Sequence, residues 1–314
     1  MKTIAYNKFG GTEVLQTIDE PRPAIRADQV LVNVKAVSIN PLDWKIRNGA
    51  MKLMSGSAFP KHIGTDFAGI VEAVGASVTG VKPGDAVFGT VKNNMKEGVL
   101  SEYVAVPSTL IWQKPAGISF VQAASIPTVG AAAVMALQKM GKITAQSQVL
   151  VNGAAGGFGL FLLQLLKLNG VKTTAVAATH ALSFVKKWGA SSVVDYSREN
   201  VLDQGVLYDV VVDLSGKMGY THAQPIMKPK AVFINPIPGP VDILTTPVQN
   251  VFRSKKHVVL LSTPTTETIN QLLKAIDNGL EIEVSKVFPF AQSKEAYAYA
   301  EQGGYVGKVV IELV

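Results

Sequence analysis

Apolar and polar positions alternate along Val30-Leu-Val-Asn-Val-Lys-Ala-Val37, the period-two pattern of a strand with one buried face. Phe67-Ala-Gly-Ile-Val-Glu-Ala-Val74, Asp85-Ala-Val-Phe88 and Tyr103-Val-Ala-Val106 continue the series, punctuated by Gly75, Gly80, Pro83-Gly84 and Pro107. Short strands at that spacing, separated by turn residues, predict a small β barrel or sandwich. From Gly130 the rhythm changes to strands and helices in alternation. Strands are predicted at Val149–Asn152, Lys172–Ala177, Ser192–Asp195, Asp209–Leu214, Ala231–Asn235 and His257–Ser262, with helices at Phe158–Asn169, Leu182–Trp188 and Tyr220–Met227. Strands with intervening helices predict a doubly wound parallel sheet of six strands. A helix at Thr266–Gly279, a strand at Val284–Phe288, a helix around Ser293–Glu301 and a last strand at Lys308–Leu313 follow. That terminal strand is expected to return to the first domain.

One segment raises the question of a membrane span, because Pro115–Gln138 carries no charge. It is rich in Ala rather than Leu and interrupted by Gly117, Pro127 and Gly130, whereas a spanning helix needs about 20 predominantly apolar residues. It reads as two buried helices broken near Pro127, so no membrane partner is expected. Met1–Tyr6 has no apolar core of signal-peptide length, which makes the cytoplasm the expected location.

The 314 residues suit two domains, and 47% hydrophobic with 17% charged residues favours a compact enzyme over a disordered chain. There is no cysteine, which excludes disulfides and any thiolate metal site. The net charge of +7 is scattered, with pairs only at Lys186-Lys187 and Lys255-Lys256. A nucleic-acid footprint is a patch rather than an average, so no nucleic-acid partner is expected. A basic balance also suits an anionic cofactor.

Val149-Leu-Val-Asn-Gly-Ala-Ala-Gly-Gly-Phe-Gly159 runs straight into the apolar Leu160–Leu168. A strand, a glycine turn and a helix in immediate succession present backbone N–H groups and a helix N-terminus to an anion. The turn reads Ala154-x-Gly156-x-x-Gly159, one substitution from the dinucleotide fingerprint. The plainer alternative is a βα turn whose glycines serve only sterics. An NAD site usually ends the next strand with Asp or Glu to accept from the ribose hydroxyls. Here that strand ends Ala177-Ala-Thr-His180, with no acid at Thr179 or His180. A hydroxyl and an imidazole suit a 2′-phosphate, so NADP(H) is expected over NAD(H); the other reading of His180 is an exposed residue at a helix start.

Together these pieces resemble the zinc-independent quinone oxidoreductase branch of the medium-chain dehydrogenase/reductase superfamily. The resemblance runs over essentially the whole chain. It is carried by Ala36-Val-Ser-Ile-Asn-Pro-Leu-Asp-Trp-Lys-Ile-Arg-Asn-Gly49, Ile63-Gly-Thr-Asp-Phe-Ala-Gly69, Val81-Lys-Pro-Gly-Asp85, Gly98-Val-Leu-Ser-Glu-Tyr103, the glycine turn, Val194-Asp-Tyr196 and Gly307-Lys-Val-Val310. It implies a GroES-like β-rich catalytic domain from residues 1–122 and 265–314, a Rossmann NADP(H)-binding domain at 123–264, an active site in the cleft between them and a homodimer. Zinc enzymes of the superfamily place Cys where this chain has Asn40 and His where it has Thr65, so no metal is expected; His62 nearby is expected to be structural. By family position Thr128 approaches the nicotinamide, and Gly153, Ala154, Ala155, Gly156, Gly157 and Phe158 approach the pyrophosphate. Thr179, His180 and Tyr196 surround the adenosine phosphate, and Ser215, Ile237 and Lys308 approach the nicotinamide side or close the cleft. Many NADPH-using relatives carry Lys or Arg shortly after the position of Thr179, where this chain has Ala181-Leu182.

A hydride moving to a quinone or an enone leaves negative charge on the acceptor oxygen, which calls for hydrogen-bond donors and then a proton. Asn40-Pro-Leu-Asp43-Trp-Lys45 offers candidates: the Asn40 amide as donor, and Asp43 with Lys45 as a pair that orients the loop or relays a proton. Asp43 reads also as a helix cap after Pro41, and Lys45 and Arg47 as a solvated face. Quinone reduction proceeds largely by proximity and orientation, so no dedicated acid is required. The expectation is an NADPH-dependent, metal-independent reductase of quinones or α,β-unsaturated carbonyl compounds. Its rivals are an alcohol-oxidising role and a non-catalytic nucleotide-binding redox sensor, RNA-binding or scaffolding protein that keeps the fold.

Overall fold

The computed structural model describes residues 1–91 and 97–313. They form two compact units, Met1–Thr128 with Pro264–Ile269 and Val284–Val314, and Val129–Thr263 with Asn270–Glu283. The first unit opens with β1 (Lys2–Tyr6), β2 (Gln16–Asp19), β3 (Gln29–Ser38), β4 (Lys61–His62), β5 (Asp66–Val74), β6 (Ala86–Thr90), β7 (Tyr103–Pro107) and β8 (Ile111–Gln113). The second holds β9 (Gln148–Asn152), β10 (Lys172–Ala177), β11 (Ser192–Asp195), β12 (Tyr208–Asp213), β13 (Met227–Asn235) and β14 (Lys256–Val259). The chain then returns to the first unit with β15 (Val284–Pro289) and β16 (Lys308–Glu312).

The long alternating strand β3 is the hub of the first unit. It pairs antiparallel with β5, β7 and β16, within a sheet ordered β15-β16-β3-β5-β6-β8. Its Val30, Val32 and Val34 are buried in one core with Val71, Val104, Val106, Val309 and Ile311. Full burial of each such side chain is worth about 1.5–3 kcal/mol, enough to hold the register of three partner strands. The strand stops where Pro41 removes an N–H and opens the helix Pro41–Arg47 at its first position.

The second unit is a wholly parallel sheet in the order β11-β10-β9-β12-β13-β14. This is the doubly wound Rossmann arrangement, with the reversal of strand order between β9 and β12. Val149, Leu150, Val151, Val210, Val211 and Val212 are fully buried, as continuous apolar runs covered on both faces must be. The strands Lys172–Ala177 and Ser192–Asp195 lie where the pattern predicts them. Residues 270–283, expected in the first domain, fall with this unit instead, and Gln164 exchanges two hydrogen bonds with Glu281, at 2.8 and 2.9 Å.

Pro115–Gln138 forms helices at Phe120–Ala124 and Pro127–Lys139, and no helix among the described residues is long and apolar enough to cross a membrane. The apolar run after His257 overstates its strand, which ends at Val259. The predicted Tyr220–Met227 helix is a four-residue helix followed by a tighter turn at Gln224–Ile226. The helix Pro240–Phe252 escapes the periodicity altogether. It contains Pro247 and exposes Val241, Leu244, Val248 and Phe252, so no polar outer face marks it in the sequence.

Candidate active site and cofactor edge

Three neighbouring strands bring one polar and two charged residues to one end of the first unit's sheet. Asn40 follows β3, Asp66 opens β5 opposite Ser38, and Lys308 opens β16 two positions before Val310, which also faces Ser38. All three are buried, at 1%, 0% and 3% exposure. Lys308 Nζ donates to the Ile39 carbonyl at 2.8 Å and to Asn40 Oδ1 at 2.7 Å. Asn40 Nδ2 donates to Thr65 Oγ1 at 2.9 Å and to Asp66 Oδ2 at 3.0 Å. Thr128, half-buried at the start of its helix, gives its backbone N–H to Asp66 Oδ2 at 3.0 Å and its hydroxyl to Oδ1 at 2.7 Å.

Burial dominates the electrostatics. It pushes the Asp43 carboxyl up to about 7 and raises Asp66, while it lowers Lys308 to about 8 against the opposing pull of Asp66 and Asp43. Two carboxyls and one ammonium thus lie buried together: the Lys308 charge and the hydrogen bonds favour the ionised carboxyls, while the Asp66 charge opposes that of Asp43.

This geometry corrects several sequence expectations. Both amide hydrogens of Asn40 are taken by Thr65 and Asp66, so its carboxamide has none to offer a substrate oxygen in this arrangement. Asp43 and Lys45 do not pair: residues two apart on a helix do not face each other. Asp43 Oδ2 instead accepts from Asn40 N at 2.9 Å and from the Tyr297 hydroxyl at 3.4 Å, which makes it the helix cap of the alternative reading. Lys45 is half-buried and forms no ion pair among the described residues. Arg47, read as a solvated face, is 1% exposed, and its guanidinium meets Glu301 at 2.7 Å and the Gly10 carbonyl at 3.2 Å. His62 is structural, paired with Glu20 at 3.0 Å. Lys308 is buried and spends two of its three ammonium hydrogens on the Ile39 carbonyl and Asn40 Oδ1. Asp66 went unnoticed, although an acid in the apolar stretch Ile63–Gly69 was the available signal.

The second unit gathers its candidates at the carboxyl ends of the parallel strands. Gly153 follows β9 with φ +76°, and its Cβ position would crowd the Ser215 backbone at 2.8 Å. Ser215 donates to Asp213 Oδ1 at 2.6 Å, and Asn152 Nδ2 bonds both, so the switch point between β9 and β12 is locked by side chains. A Cβ on Gly159 would run into the Ala154 carbonyl, whereas one on Gly156 would meet open space. The helix Gly157–Leu168 starts without a side-chain cap. Ile237 is 41% exposed beyond the end of β13, and Ala155, Gly157 and Phe158 are half-buried along the turn.

The edge beyond β10 holds an acid after all. Asp195, from the end of β11, accepts from the Thr179 hydroxyl and from the Ser197 hydroxyl and N–H, and meets Arg198 at 3.4 Å. Those Ser197 and Thr179 hydrogen bonds hold its carboxyl below the usual range. Parallel pairing set Asp195 opposite Ala177, which a reading confined to one strand could not reveal. Its oxygens are occupied by protein donors. His180, Tyr196 and Arg198 stand exposed around it, and Arg198 had not been singled out.

A dinucleotide fits this edge: an uncapped helix start, open space at Gly156 and small residues along the turn leave room and donors for phosphates. Zinc does not fit the first unit's cluster. A carboxamide and a hydroxyl bonded to each other, beside a buried ammonium, are not a zinc donor set.

Comparison with known proteins agrees with these features. Residues 26–116 match the family described as the alcohol dehydrogenase GroES-like domain, and residues 188–311 match the one described as zinc-binding dehydrogenase. The chain is 33% identical to the chloroplastic NADPH-dependent alkenal/one oxidoreductase of Arabidopsis thaliana, over 99% of this chain and 79% of that protein. It is 31% identical to the quinone oxidoreductase of Coxiella burnetii, whose structure superposes with a TM-score of 0.90 over 100% of this chain and 99% of that one. The Escherichia coli quinone oxidoreductase complexed with NADPH is 25% identical, with a TM-score of 0.85 over 99% and 100%. A GroES-like unit and a Rossmann unit whose glycine turn departs from the fingerprint only at Ala154 define a nicotinamide-dependent oxidoreductase. The chain belongs to the quinone oxidoreductase-like branch of the medium-chain dehydrogenase/reductase superfamily.

Proposed function

We propose that the protein is an NADPH-dependent reductase that transfers a hydride to a quinone or an α,β-unsaturated carbonyl compound without a metal. The observation that carries the reading is the cofactor edge. Asp195 commits its oxygens to Thr179, Ser197 and the Nε of Arg198, so the acid that would favour ribose hydroxyls is occupied, while the outer guanidinium nitrogens of the exposed Arg198, with Tyr196 and His180, are left for a phosphate. The names of the Arabidopsis and Escherichia coli relatives favour the same cofactor and the same acceptor classes.

NADPH supplies the hydride. The chain's residues bind, orient and exclude water: Gly153, Ala154, Ala155, Gly156, Gly157 and Phe158 take the pyrophosphate, and His180 and Tyr196 the adenosine phosphate, beside Thr179, whose hydroxyl proton is held by Asp195. Thr128 is assigned to the nicotinamide, as are Ser215 and Ile237. Asn40, Asp43 and Lys308 hold the start of the helix that carries Lys45, whose ammonium is the group left to meet charge developing on the acceptor oxygen. A cytoplasmic homodimer belongs to the same reading, and light scattering on the purified chain checks the dimer.

The test follows nicotinamide absorbance with quinones, enones and aldehydes. Turnover of quinones or enones is expected; thermal stabilisation by NADPH with turnover of none would leave the binding-protein alternative standing. Arg198→Ala should weaken NADPH roughly tenfold and leave NADH unchanged, the loss of one charge-assisted phosphate contact. Equal weakening of both cofactors would defeat the assigned preference.

A further inference from the structure

Thr128 ends a hydrogen-bond chain whose polarity is set from the interior. An ammonium only donates, so Lys308 obliges Asn40 to present Oδ1 and turns Nδ2 towards Thr65 and Asp66. A backbone amide only donates too, and Thr128 N reaches the same Asp66 Oδ2. Oδ2 therefore accepts twice, and Oδ1 takes the Thr128 hydroxyl at 2.7 Å. With its proton committed inward, Thr128 Oγ1 has only lone pairs left for a ligand, and it is the half-buried member of an otherwise buried set.

We propose that Asp66 is a positioning residue that makes Thr128 an obligate acceptor, so that Thr128 selects the NH2 of the nicotinamide carboxamide over its carbonyl and fixes the carboxamide rotamer. This rests on the assignment of Thr128 to the nicotinamide in the proposed function. A carboxamide offers a donor at one end and an acceptor at the other, so a free hydroxyl would accept either orientation. A hydroxyl held by a carboxylate accepts one. The ionised form of Asp66 suits this arrangement: burial opposes it, while the Lys308 charge and the donors from Thr128 and Asn40 favour it.

The test is the ratio of dissociation constants, by titration calorimetry at neutral pH, for NADP+ and its 3-acetylpyridine analogue, which carries a methyl where the NH2 stands. The native protein should bind NADP+ about threefold to tenfold more tightly, the worth of one net hydrogen bond. In Asp66→Asn the new amide oxygen takes the place of Oδ2 and its NH2 donates to Thr128, which frees the hydroxyl to donate outward. The ratio should fall to near one. A native ratio of one, or an equal ratio in Asp66→Asn, overturns the proposal.

Thr128→Val separates the two levels of the argument. If this variant keeps the native ratio, the assignment of Thr128 to the nicotinamide fails as well. If it abolishes the ratio while Asp66→Asn preserves it, only the polarity argument fails. Should Asp66→Asn not fold, the native ratio followed to acid pH reads the same reversal, because a protonated Asp66 can donate to Thr128. A ratio flat down to acid unfolding overturns the proposal.

Discussion

The two candidate regions are built in opposite ways. The network of the first unit joins side chains far apart in sequence: Lys308 to Asn40, Asn40 to Asp66, Asp66 to Thr128. It is buried, and burial shifts the pKa of its charged members. The cofactor edge of the second unit is a contiguous strand, turn and helix that works through backbone and small residues, with exposed side chains from two neighbouring strand ends. A buried network of charges is stabilising only as a set, because each member alone would bear its full desolvation penalty. A backbone cradle is tolerant wherever its residues face open space and intolerant only where they face one another.

The largest effect expected from that contrast is in the network. Lys308→Met keeps an unbranched chain one atom shorter and leaves two buried carboxyls without their cation, which should cost about 3–5 kcal/mol in urea unfolding. A loss below about 1 kcal/mol would mean that the network tolerates removal of a member, contrary to the comparison. Next comes the glycine turn. Gly159→Ala forces a methyl against the Ala154 carbonyl and should cost about 1–3 kcal/mol. Gly156→Ala faces open space at φ −80° and should leave stability within about 0.5 kcal/mol while weakening NADPH binding. Equal destabilisation by the two changes would remove the distinction between packing and ligand-facing glycines.

A pH dependence of stability is expected from the network as well. Asp43 titrates at about 7 in the folded state, above the roughly 3.9 of an unfolded Asp. A carboxyl raised on folding binds its proton more tightly in the native state. Its contribution is therefore fully present below about pH 4 and is lost as pH rises through about 7. Asp43→Asn keeps an oxygen for the Asn40 N–H and cannot titrate. The difference between native and variant stability, measured across that range, should shift in favour of the variant as pH rises. A pH-independent difference would mean that Asp43 is ionised throughout.

How much of this was legible in the sequence follows the same divide. The glycine turn announced itself because strand, turn and helix are consecutive, and each has a local signature in spacing or in small residues. The absent acid after Thr179 was legible only within one strand. Asp195 arrives from the next strand by parallel pairing, so the local inference about an empty position needed correction. Asn40 was singled out for a free amide, yet its donors are consumed by partners 25 and 26 residues away. The exposed apolar helix Pro240–Phe252 was invisible because its outer face lacks the polar residues that periodicity relies on.

By itself the sequence determined the two-part plan, the parallel sheet, the nucleotide turn and the absence of thiolate ligands. These depend on side-chain period, turn chemistry and residue type, all of which are local. Tertiary structure decided which charges are buried, which hydrogen bonds consume Asn40 and Asp43, and which way the proton of Thr128 points. Those properties depend on donors and acceptors brought together by β3 pairing with β5 and β16, and no window along the chain contains them.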